Sequence, residues 1–141
     1  MVNDPRNAGL RSRPFHDDYA CVAAVDVLRS VLRAEEPPET LTTLGFTVTG
    51  DTRNLQIDYP SGLAEVHTFP LADLATGFVR AWASGRDFNR WASVVVMTDW
   101  IDVDGIDTTD GRALWDAVWS VAGGNEPDDG ALAVARRLSG A

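Results

Sequence analysis

The apolar residues of this chain keep one spacing, drop it for a second, then return to the first, and that switch constrains the fold more than any other feature. From Asp17 to Ala34, the residues Tyr19, Val22, Ala23, Val25, Leu28, Val31 and Leu32 recur at three- and four-residue intervals. This predicts an amphipathic helix with Asp26, Arg29, Arg33 and Glu36 on its other side. Asp17 or Asp18 supplies its N-cap, and Pro37-Pro38 stops it because proline cannot continue the hydrogen-bond ladder. From Leu44 to Phe69 the period falls to two. Phe46 and Val48 alternate with Thr47 and Thr49, and Leu55, Ile57 and Tyr59 alternate with Asn54, Gln56 and Asp58. Turns are expected at Gly50–Arg53 and at Pro60-Ser61-Gly62, so a three-stranded antiparallel meander ending in LAEVHTF follows. In the third strand, either Leu63, Glu65, His67 and Phe69 share one face or a bulge re-aims them.

Helical spacing then resumes. Pro70 opens a helix with Leu71, Leu74, Ala75, Phe78, Val79 and Trp82 as its apolar stripe, closed by Gly85. Between Arg86 and Ile101 the signals compete: VVVM suits a buried strand, whereas Phe88, Trp91, Ala92 and Val95 with Val94, Met97 and Ile101 suit a central helix. Length favours the helix. Thr108, Thr109 or Asp110 caps the next one, with Leu114, Trp115, Val118, Trp119 and Val121 inward and Gly123-Gly124 at its end. Pro127-Asp128-Asp129 starts a last helix with Leu132, Val134, Ala135 and Leu138 for packing and Arg136 and Arg137 near its C-terminus. The expected class is α+β: an N-terminal helix, a three-stranded meander, then about four helices packed on one sheet face. Residues 1–16 are expected to form a mobile arm and residues 17–141 a single domain.

A chain of 141 residues can bury roughly 68–70% of its unfolded surface without covalent staples. No apolar run approaches a bilayer span and no apolar stretch follows the N-terminal arginines, so a cytoplasmic protein is expected. The single cysteine, Cys21, fits a reducing compartment and a structural thiol. Net charge is −9, with every base an arginine, and this balance opposes a nucleic-acid partner, which needs a basic footprint. The charge is uneven, because Arg6, Arg11 and Arg13 outweigh Asp4 in the first sixteen residues.

Most of the negative charge lies in the second half. The stretch from Asp87 to Pro127 holds four of the five tryptophans, Trp91, Trp100, Trp115 and Trp119. From Asp99 to Asp129 nine carboxylates face one base, Arg112. The run DWIDVDGIDTTDG invites comparison with a calcium loop. With Gly105 at loop position 6, Asp102 and Asp104 fall on 3 and 5, but Trp100 and Gly111 occupy the first and last ligand positions. No metal or cofactor is therefore expected, and the aspartates read as helix ends, Asx-turns and caps, with an acidic calcium-binding loop built as an irregular oxygen cage as the alternative. An acid–base cluster of Asp58, Glu65 and His67 is the enzymatic alternative, without a nucleophile, a glycine-rich loop or a second nearby histidine; His16 lies in the arm.

The order Phe88-x-x-Trp91-Ala92, Asp99-x-Ile101-Asp102, Leu114-x-Asp116 and Asn125-Glu126-Pro127 before a Leu/Ala/Arg helix resembles small acidic bacterial immunity proteins of polymorphic toxin and contact-dependent inhibition systems. The resemblance spans about residues 70–141. Ala113-Leu114-Trp115-Asp116 is also similar to the helix of barstar-type ribonuclease inhibitors, although the strand expected soon after it is absent. The immunity resemblance implies a non-catalytic protein that binds and blocks a cognate toxin, its partner a basic toxin domain. An acidic inhibitor is steered rapidly to a basic active-site groove, and aromatic side chains beside the acids supply binding energy. The expected partner-binding residues are Asp99, Trp100, Asp102, Asp104, Asp107 and Asp110.

Overall fold

The computed structural model describes residues 18–50, 55–58, 66–85, 88–98 and 101–140, with side chains from Ala24 onward. The arm at 1–16 with His16, the Cys21 side chain, residues 51–53 and 60–62 of the expected meander turns, Glu65, Asp99 and Trp100 lie outside the described residues. The chain is mostly helical. Among the described residues there are five α-helices: α1 (Asp18–Leu32), α2 (Leu71–Ser84), α3 (Phe88–Met97), α4 (Thr109–Ala122) and α5 (Asp129–Ser139). A 3₁₀ helix spans Pro38–Leu44, and four short strands complete the fold: β1 (Thr47–Thr49), β2 (Gln56–Asp58), β3 (His67–Pro70) and β4 (Ile101–Asp104). No described helix is long and apolar enough to cross a membrane.

The expected three-stranded meander is not formed. β1 and β2 make a two-stranded antiparallel hairpin, with Val48 opposite Ile57. β3 leaves that sheet and pairs in parallel with β4, His67 opposite Ile101 and Phe69 opposite Val103. Burial explains the choice. Phe69 and Val103 are both buried, whereas Val48 and Ile57 are only half-covered. The one large apolar side chain that β3 turns inward thus finds its fully buried match on β4. A parallel pair needs a crossover, and α2 and α3 provide it. Nor do four helices cover one sheet face. They pack largely on each other, α2 against α5 and α3 against α4.

The segment 93–97 is helical. Its helix ends at Met97, four residues short of the expected Ile101, and Thr98 seals it by donating its hydroxyl and amide to the Val94 carbonyl at 2.7 and 3.0 Å. Ile101-Asp102-Val103-Asp104 then alternates as a strand, half-buried, exposed, buried, exposed.

Leu28, Val31 and Leu32 of α1, Leu74 and Phe78 of α2, Trp91, Val94 and Val95 of α3, and Leu114 and Val118 of α4 form one core. Within it Phe78 meets Phe88 edge-on at 5.2 Å between centroids, and Phe88 stacks on Trp91 at 6.2 Å. Trp91 is 3% exposed. Its indole N–H is satisfied by the Val31 carbonyl at 3.0 Å, which ties α3 to the end of α1.

Candidate interaction surface

The expected site residues do not form one interhelical loop. Asp102 and Asp104 occupy the two exposed positions of β4, and the Thr68 hydroxyl donates to Asp102 at 3.3 Å. Asp107 is exposed in the following turn. That turn is fixed by Gly105, at φ 86°, whose carbonyl accepts the Thr108 hydroxyl at 2.6 Å. Thr108 caps α4 by accepting the Gly111 amide. Asp110, in the first turn of α4, is half-buried and takes Arg137 Nη2 at 2.8 Å, so it links α4 to α5. Among the described residues, no three His, Cys, Asp or Glu side chains converge as metal ligands do.

The members of the acid–base alternative are separated by the strand pairing. Asp58 lies on β2 opposite Thr47 and accepts the Gln56 amide at 2.9 Å, while His67 lies on β3 opposite Ile101. They are not cross-strand neighbours.

Ion pairing divides the molecule. The first half compensates many of its carboxylates. Asp73 takes Arg33 and Arg29, Glu35 takes Arg80 and Arg33, and Glu39 takes Arg90. The Arg80 hydrogen bond, followed by that of Arg33, holds the Glu35 carboxyl below the usual glutamate range. Reciprocally, hydrogen bonds to Asp73 and then Glu35 raise the pKa of Arg33. From Ile101 onward the pattern reverses. Asp102, Asp104, Asp107, Asp116, Glu126 and Asp129 form no ion pair among the described residues, nor does Asp128, which instead caps α5 by accepting the Ala131 amide at 2.7 Å.

The tryptophans also sort differently from expectation. Trp119, expected inward, is 53% exposed, and Trp115 is half-buried against it at 6.5 Å in an edge-on contact. Gly111, Leu114, Val118 and Val121 form the buried stripe of α4, which leaves Trp119 with Arg112 and Asp116 on the outer face. That spacing of four and three was readable in the sequence, since one stripe of α4 cannot hold both Val118 and Trp119 at its centre. On the α3 side, Trp119 borders a groove of about 240 Å³ with Leu55, Val96, Met97 and Ala122. On the other side, α4 and α5 frame a second groove of about 510 Å³. An outer helix face with an aromatic anchor, flanking grooves and uncompensated carboxylates is suited to holding another macromolecule. Comparison with models of known families, with curated proteins and with solved structures gave no significant match.

Proposed function

We propose that the chain is a non-catalytic protein-binding module that neutralises a basic protein partner, as an immunity protein does its toxin. The observation that carries this reading is the imbalance in ion pairing: of the acids from Asp102 to Asp129, only Asp110 meets an arginine among the described residues. Such a surface attracts a cationic partner over a range of about one Debye length and speeds encounter. Charge alone gives steering more than affinity. Trp119, exposed on α4 beside Asp116, offers the aromatic contact that concentrates binding energy.

The test is co-expression with the product of the adjacent gene. The proposal expects that product to carry a toxic, basic C-terminal domain, expects this chain to relieve the toxicity, and expects the two to purify as a complex that loosens with added salt. Failure of the chain to relieve toxicity, or a complex indifferent to salt, would remove the reading.

A further inference from the structure

The groove between α4 and α5 combines two properties that the acidic surface elsewhere does not. Its floor is apolar and built from small side chains, Ala113 and Ala117 of α4 with Ala131 and Val134 of α5. Its rim carries Asp116, Glu126 and Asp128, all exposed and none in an ion pair among the described residues. Arg112, one turn before Asp116 on α4, is exposed and in no ion pair among the described residues, and the two arginines of α5 are engaged elsewhere. Arg136 lies over the Trp82 ring at 5.4 Å, and Arg137 is bound to Asp110. A shallow alanine floor beneath carboxylates that meet no arginine among the described residues matches a long cationic side chain, whose methylenes want apolar cover while its charged head stays at the edge. Arginine fits such a rim better than lysine, because its planar fork bonds a carboxylate in two places.

Resting on the protein-binding reading above, we infer that this groove receives an arginine-bearing amphipathic helix of the partner. Its arginine stems lie on Ala113 and Ala117, and its guanidinium groups meet Asp116 and Glu126. An anionic segment is repelled by the same three carboxylates, so the charge pattern sets the sign of the partner as well as the site.

Two helical peptides test the assignment: a leucine/arginine amphipathic peptide and its leucine/glutamate counterpart, titrated calorimetrically against the full chain. The wild type should bind the first and not the second. Asp116→Arg with Glu126→Arg should weaken binding by at least about tenfold, roughly 1.4 kcal/mol. Ala113→Leu, which fills the groove from an exposed position, should weaken it as well. Circular dichroism and melting check that each variant remains folded. Asp26→Arg with Glu36→Arg should leave the affinity within about threefold, since those exposed acids lie on and just after α1 and are not among the groove-lining residues. Equal affinity across all variants, or equal binding of the glutamate peptide, would overturn the assignment. So would absence of any binding. Loss of binding only in the Asp26 and Glu36 variant would also overturn it while leaving the protein-binding reading intact, which the co-expression experiment judges separately.

Discussion

Arg33 Nη1 donates to Asp73 Oδ1 across 2.8 Å and joins the end of α1 to the first turn of α2. Asp73 is 6% exposed, and its second oxygen lies 3.6 Å from Arg29 Nε. A carboxylate buried to this degree persists because two guanidinium groups and the N-terminus of its own helix favour its charge. Asp73→Ala removes the buried carboxylate that both arginines share, although Arg33 keeps Glu35, and should cost about 1.5–3 kcal/mol, the range for a charged hydrogen bond. Urea denaturation of the single and double variants with Arg33→Ala should show a favourable coupling energy; additivity would mean the pair contributes nothing.

A second test lies one residue along, at the turn that follows α1. Ala34 has φ 55°, the one described residue other than glycine in the left-handed region. Its amide and those of Glu35 and Glu36 close the helix on the carbonyls of Val31 and Ser30. Glycine is the usual residue at such a helix end, because a Cβ there costs about 1 kcal/mol. Ala34→Gly should therefore raise the denaturation midpoint with an unchanged slope.

The opposite change should fail at Gly77. A Cβ on this α2 residue would collide with the Leu32 carbonyl oxygen and come within 2.7 Å of Trp91 Cζ2. The first obstacle is backbone and cannot rotate away. Gly77→Ala should thus cost about 1–3 kcal/mol through forced separation of α1, α2 and α3. Intrinsic Trp91 fluorescence should shift with it; a variant as stable as wild type would contradict the packing described.

These contacts mark the limit of what was legible in the sequence. The stripes of α5, of α1 from Val25 on and of α2 up to Val79 were readable because spacing within one element decides which face is buried, whereas Trp82, expected inward on α2, is 38% exposed. The buried pair Arg33–Asp73 was not, because forty positions separate its members. β3 was given the wrong partner for the same reason: strand propensity predicts a strand without saying which other strand it joins. Ile101-Asp102-Val103-Asp104 did alternate visibly, but Ile101 also fitted the helical row of Val94 and Met97, and the aspartates invited a loop reading. Of the expected site, Asp102, Asp104 and Asp107 are exposed and Asp110 is tied to Arg137, so the acidic character was readable and its arrangement was not.

Acid should weaken the domain partly through Glu35. Arg80 at 2.6 Å and Arg33 at 3.2 Å lower its carboxyl pKa in the folded state. A lowered folded pKa means the unfolded chain takes up the proton first as pH falls. The contribution is thus complete above the unfolded value of about 4.3 and is lost as pH drops through the folded value. Glu35 is exposed, so the effect is small. Glu35→Gln should be slightly less stable than wild type at neutral pH, and the gap should close below about pH 4. A gap that widened in acid would reverse the sign assigned here.

Trp119 and Trp91 should respond in opposite ways to truncation. Trp119→Ser removes a side chain that is 53% exposed and should change stability by no more than about 0.5–1 kcal/mol. Trp91→Ala empties a buried site and should cost about 3–5 kcal/mol. Thermal melting of the two variants checks this, and a severe loss at Trp119 would place it in the core.

The carboxylates from Asp102 to Asp129, all but Asp110 without an arginine among the described residues, are proposed to meet a basic partner. Stopped-flow association with the basic domain encoded beside this gene, over a range of salt concentrations, measures that encounter directly. The association rate should fall steeply with ionic strength and drop clearly at low salt for Asp104→Arg with Asp107→Arg, which remove exposed acids without touching the Asp110–Arg137 bridge. An association rate that ignored both salt and charge reversal would contradict the proposal.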